Sequence, residues 1–149
     1  MFTNADLLAI KAELTNDPLT LGLTVVAADD EANANALNLV REVCQVDRES
    51  IPVSEISKAI DRDEFNAASA ADRQWIAMIT AGGDVNPKAG GEVREGLLQI
   101  FANGTESRTN LQALLTEATS RANQLYKLGT ISTGELITPS IVAQARNAT

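Results

Sequence analysis

The chain has 149 residues, 44% of them hydrophobic and only 3% aromatic, with 12 basic and 20 acidic side chains for a net charge of −8. That length and apolar content fit one domain with a real core and exclude wholesale disorder. The lack of histidine removes Ser-His-Asp, Cys-His and His-ligated metal chemistry at once.

Ala and Leu abound while aromatics are scarce, which favours closely packed helices over a β-sandwich. The charge is uneven. Residues 1–64 hold 5 basic and 13 acidic residues (5 − 13 = −8), and residues 65–149 hold 7 of each (7 − 7 = 0). An acidic N-terminal half argues against nucleic acid, whose binding needs Lys and Arg to displace counterions. It reads as a solvated face, or as an electrostatic surface for a basic protein partner. The N-terminus has no basic segment followed by an apolar one, and no apolar run is long enough to span a bilayer, so neither a cleaved signal nor a membrane span is expected.

In chain order, Thr3 and Asp6 form a capping pattern with Phe2 and Leu7 as a hydrophobic staple. The first helix carries Leu7, Ile10 and Leu14 and stops before Pro18. Residues 17–22 are turn-rich, and Leu23, Val25 and Val26 follow as a short extended piece. Asp29, Asp30 and Glu31 complement the dipole of a helix start. That helix is expected to run to about Val46 along Leu37, Val40 and Cys44, so the lone cysteine is a buried hydrophobe with no disulfide partner.

Asp61, Asp63 and Glu64 begin like a calcium loop, but Phe65 and Asn66 occupy positions that need an oxygen ligand and glycine, so the motif fails. A short helix is expected over 54–60. Another, capped by Ser69 and Asp72, carries Trp75, Ile76 and Ile79 as core residues and ends at Gly82 and Gly83. Residues 82–91 are a flexible, Gly-rich loop. Lys88 is followed by Ala89, not Ser or Thr, so it is no phosphate loop; such a loop is a candidate docking point.

Val93, Leu97, Ile100 and Phe101 form a helix closed by Gly104. The next helix, about 107–127, places Leu111, Leu114, Leu115, Ala118, Ala122, Leu125 and Tyr126 on one stripe. It would be roughly 30 Å long and the main wall of the core, with Glu117 and Arg121 pairing on its outer side. Residues 130–137 are β-branched and read as extended. Thr138 and Pro139 then open a last helix over 140–146. Sequons at Asn103 and Asn147 go unused in an unsecreted chain. A pair of carboxylates could still do acid–base work, but no cleft signature gathers one.

The expected fold is therefore all-α: a single domain over 1–149, a compact bundle of about five to seven helices around the long amphipathic 107–127 helix. Short extended segments lie near 23–26 and 130–137, and a C-terminal piece spans 129–149. No catalytic, metal or cofactor residues are expected. The irregular stretches supply the candidate interaction residues: Leu23, Val25 and Val26; Asp84, Val85, Asn86 and Lys88, with Ala89 ending that loop; and Ile131, Leu136 and Ile137.

Several stretches together resemble small proteins encoded by tailed bacteriophages. They are Ala12-Glu-Leu-Thr-Asn-Asp-Pro-Leu19 with Gly22, Ala36-Leu-Asn38, Val46-Asp-Arg-Glu-Ser50 leading into Val53-Ser-Glu-Ile-Ser-Lys-Ala-Ile60, Leu98-Gln-Ile-Phe-Ala-Asn-Gly104, Thr119-Ser-Arg-Ala122 and Leu128-Gly-Thr-Ile131. Leu23 departs from the Tyr that typically follows the glycine in such proteins, and Ile137-Thr-Pro-Ser140 is extra. The resemblance implies a non-enzymatic virion protein of the head–tail junction or tail. Its partners would be other virion proteins of the neck, tail or capsid and copies of itself, with no small-molecule substrate. The alternative is a soluble assembly or host-interaction factor that binds a basic partner through the acidic N-terminal half.

Overall fold

The computed structural model describes residues 1–88 and 91–149. The end of the expected loop, residues 89 and 90, lies outside the described residues. Among the described residues the chain forms nine helices and one two-stranded sheet, so it is mainly helical but finer-grained than expected. It divides into two compact units. Unit 1 comprises residues 1–46 and 118–149, and unit 2 comprises 47–117.

Unit 1 contains α1 (Asn4–Asn16), a 3-10 turn (Ala27–Asp29), α2 (Asp30–Asn38), α8 (Arg121–Lys127) and α9 (Pro139–Asn147). Thr3 caps α1 as the sequence suggests: its hydroxyl accepts from the Asp6 amide while the Asp6 carboxylate accepts from the Thr3 amide. Thr138 caps α9 with Pro139 at the first position. The core gathers Ile10, Leu14, Leu37, Cys44, Leu125, Ile131, Ile137 and Val142, with Phe2 and Leu7 packed against it.

Unit 2 contains α3 (Val53–Ala59), α4 (Arg62–Ala67), α5 (Ala70–Thr80), α6 (Glu92–Ile100) and α7 (Glu106–Leu114). Ser69 caps α5 by accepting from the Asp72 amide. Ile51, Ile56, Ile76, Leu97, Phe101, Leu111 and Leu115 form its core, and Trp75 packs on their margin.

Two expected helices are not continuous. The helix begun at Asp30 stops at Asn38, and Val40–Asp47 is strand β1. Leu37, Val40 and Cys44 fit a helical stripe on paper, but Val40, Val43 and Val46 are β-branched and favour a pleated backbone. In the strand Cys44 and Val46 are buried while Val40 is exposed. Likewise there is no single long helix over 107–127. α7 ends at Leu114, Thr116–Ser120 is strand β2, and α8 begins at Arg121. Thr116 and Thr119 disfavour helix, and the Ser120 hydroxyl accepts from the Asn123 amide, so the chain restarts a helix there instead of continuing one. The apolar stripe is real but serves two cores: Leu111 and Leu115 in unit 2, Ala122 and Leu125 in unit 1.

The break also relocates Arg121. It does not pair with Glu117 along a helix; its guanidinium donates to both oxygens of Glu13 on α1, at 2.7 and 2.8 Å, and to Gln124. Gln124 in turn donates to the Gln45 carbonyl. Removing one partner of such a pair leaves the other charge poorly solvated.

Residues 23–26 and 130–137 carry no strand. Their backbone is held by side chains. Asn33 accepts from the Thr24 amide and donates to the Thr24 carbonyl. Asn38 does the same for Ile137. Asp6 accepts from the amide and hydroxyl of Ser132 at 2.6 and 2.7 Å, besides Thr3. Burial pushes the Asp6 carboxyl up, but the hydrogen bonds from Thr3 and Ser132 overcome this and bring it down to about 2.

A carboxyl whose folded pKa lies below its unfolded value stabilises the fold above the unfolded pKa and loses that contribution as pH falls through the folded one. Asp6 is therefore expected to contribute on the order of 2 kcal/mol well above pH 4, fading as pH falls toward 2. Urea unfolding of Asp6→Ala should show a loss of about 2–3 kcal/mol at pH 7, because the amides of Thr3 and Ser132 lose the buried carboxylate that accepts from them. The gap from the parent should narrow near pH 2.5; a pH-independent gap would contradict the role assigned to the charge.

Candidate functional site

The described residues contain no group of three or more His, Cys, Asp or Glu side chains arranged to hold a metal ion. The carboxylates that drew attention in the sequence have structural uses. Asp61 caps α4, accepting from the amides of Asp63 and Glu64. Glu64 accepts from the amides of Glu106 and Ser107 at the start of α7, both at 2.9 Å, and its pKa is lowered, first by the Ser107 hydroxyl, then by the Ser107 and Glu106 amides. Asp17 sits in a left-handed conformation and accepts from the amides of Leu21, Gly22 and Leu23, which folds the Asp-Pro turn back on itself. Asp29 accepts from the Thr24 hydroxyl, Asp30 pairs with Arg146, and Glu55 pairs with Arg48. The acidic N-terminal half is thus largely engaged within the chain.

Cys44 is fully buried, and that burial raises its thiol pKa. Such a thiol is a poor nucleophile. An apolar void in unit 2, lined by Ile51, Ile56, Val85, Leu97 and Leu111, has a volume of about 20 Å³. That is room for one water and for no substrate.

The candidate interaction residues divide by burial. Leu23, Ile131 and Ile137 belong to the core of unit 1, and Val85 to that of unit 2. The Val85 backbone exchanges two 2.8 Å hydrogen bonds with Ile51. Asp84, Asn86 and Lys88 are exposed; Asp84 accepts from the Ser50 hydroxyl, and Asn86 from the Lys88 amide. Val25, Val26 and Leu136 stand in solvent at 51%, 55% and 74% exposure. The structure adds Leu39, Val40 and Val43, each at least half exposed. The sequence hid Val40 and Val43 by offering a helical stripe where there is a strand.

Unit 2 also carries an open groove of about 780 Å³ between α5 and α6. Trp75, Gly96 and Ile100 form part of its wall, and Asp72, Glu92 and Glu95 are its charged lining. Trp75 is thus a half-buried wall residue as well as a core-margin one. Its indole lies against the Gly96 backbone so closely that a Cβ there would fall 2.6 Å from Cζ2.

No family model matches the chain, and neither curated proteins nor solved structures yield a match. The functional reading therefore rests on the residues themselves.

Gly96→Ala separates packing from propensity. In an exposed helix the change would stabilise by up to about 1 kcal/mol. Here displacement of the indole should reverse the sign, destabilising by about 1–3 kcal/mol. Thermal melts and the emission maximum of the single tryptophan should move together, to lower temperature and longer wavelength.

Proposed function

We propose that this chain is a non-enzymatic structural component of a tailed-bacteriophage virion, at the head–tail junction or in the tail, acting by protein–protein packing in a multi-copy assembly. The phage-like stretches motivate the setting. The observation that carries the packing role is the exposure of Val25, Val26, Leu39, Val40, Val43, Leu128 and Leu136, large apolar side chains on unit 1. In an aromatic-poor chain these are among the exposed side chains that could form the apolar centre of an interface. Among the described residues, the side chains that bear chemistry are chiefly engaged in caps, clasps and ion pairs.

The competing reading, a soluble factor whose acidic N-terminal half binds a basic partner, draws less support. Asp6, Glu13, Asp17, Asp30, Glu55, Asp61 and Glu64 all have partners within the chain.

Quantitative peptide mass spectrometry on purified particles of the source phage tests the proposal. The expected result is a copy number well above trace, in the range of a ring or a tail repeat. Absence from particles whose major capsid protein is well covered would sink the structural reading and leave the assembly factor in its place.

A further inference from the structure

We propose that unit 2 associates with a second copy of the chain head to tail: the Lys58–Arg62 corner of one copy enters the Trp75 groove of the next. The inference deepens the multi-copy part of the proposed function and rests on that part, though not on a phage origin.

The groove is the acceptor half. All its charged lining residues, Asp72, Glu92 and Glu95, are acidic, and they flank the half-buried Trp75 ring. Glu92 and Glu95 have no ion-pair partner among the described residues. Two of the nearby cations have partners elsewhere. Arg73 donates to the carbonyls of Asn66 and Ala68, both at 2.8 Å, and Arg94 faces Asp47 at 3.7 Å. A groove lined by an indole and by carboxylates suits a guanidinium or an ammonium, through cation–π attraction and charge-assisted hydrogen bonds.

The same unit supplies the complement. Lys58, on the last turn of α3, and Arg62, the first residue of α4, are four residues apart at the α3–α4 junction, and both are exposed. Neither forms an ion pair among the described residues. Of the neighbouring acids, Asp61 and Glu64 are held by backbone amides and Glu55 by Arg48, while Asp63 is exposed beside Arg62.

One copy cannot close this contact on itself. Arg62 and Ile60 line a separate depression against Ile76, Ala77 and Thr80 of α5, whereas the groove uses Ala71, Asp72 and Trp75 of that helix. With 3.6 residues per turn these sets occupy different arcs of α5. Corner and groove therefore face apart, and the contact is heterologous. Such contacts generate rings when the rotation closes and filaments when it does not.

The test uses the full-length chain, with light scattering for mass and Trp75, the only tryptophan, for occupancy of the groove. Mass should rise with concentration at low salt while tryptophan emission shifts, and both should revert in about 1 M salt, where screening reaches about 3 Å. Glu92→Lys with Glu95→Lys, or Lys58→Glu with Arg62→Glu, should each weaken association at least tenfold, a change typical of charge reversal in an interface. Mixing the two variants should restore it, because the reversed groove of one then fits the reversed corner of the other. Circular dichroism identifies any variant that fails to fold, and the salt dependence of the parent chain decides the matter without variants. A chain that stays monomeric at all concentrations overturns the proposal, as does assembly indifferent to both reversals. A tryptophan shift produced by oligolysine but not by concentration overturns it in favour of a basic protein partner. Failure here would leave detection in particles untouched, so the two readings fall separately.

Discussion

A backbone amide removed from water without an acceptor costs about 1–3 kcal/mol, more than most single contacts return. This chain has only one two-stranded sheet among its described residues, yet it buries Leu21, Leu23, Ile131 and Ile137 in irregular backbone. The structure depends on how those segments satisfy their polar groups. Asp17 serves the amides of 21–23, Asn33 serves Thr24, Asp6 serves Ser132, and Asn38 serves Ile137. Each side chain does locally what a neighbouring strand would do in a sheet. The carboxamides of Asn33 and Asn38 both donate and accept, which is the pairing pattern of a peptide group.

The same logic operates in unit 2 by different means. Glu64 satisfies two amides at the start of α7, and Ser107, whose own amide is one of them, accepts from the Asp61 amide through its hydroxyl. A reciprocal tie of this kind fixes α4 against α7 although α4 has no fully buried side chain. Charge is thereby drawn from the surface into structure. The negative charge concentrated in residues 1–64 becomes, in large part, a set of caps and clasps, while apolar side chains such as Val40 and Leu136 are left outside. That inversion is what motivates the proposed association through apolar and residual charged surface.

Much of this was legible locally. The caps at Thr3, Ser69 and Thr138 were readable because a capping side chain and its amide are three residues apart. The failure of the calcium pattern at Asp61 was readable from the residues that follow it. What escaped was long-range or degenerate. Nothing near Asn38 announces that its partner is Ile137, 99 residues away, nor near Glu13 that it meets Arg121, 108 residues away. Leu37, Val40 and Cys44 satisfy a helical period over the first part of a segment that the structure divides between helix and strand. Residues 107–127 failed for a related reason: the stripe was continuous, and only Thr116, Thr119 and Ser120 marked the interruption. The Trp75 groove was hidden because a tryptophan beside two isoleucines reads as core, and nothing local shows that the indole packs against the backbone of Gly96 on another helix and lines an open groove.

The most direct test of the side-chain clasps is residue-resolved amide hydrogen exchange on the folded chain. If they hold the irregular backbone, the amides of Leu21, Gly22, Ser132 and Ile137 should exchange as slowly as those inside α9, despite belonging to no helix or strand. Exchange at those four positions as fast as at the chain termini, with α9 still protected, would contradict the account.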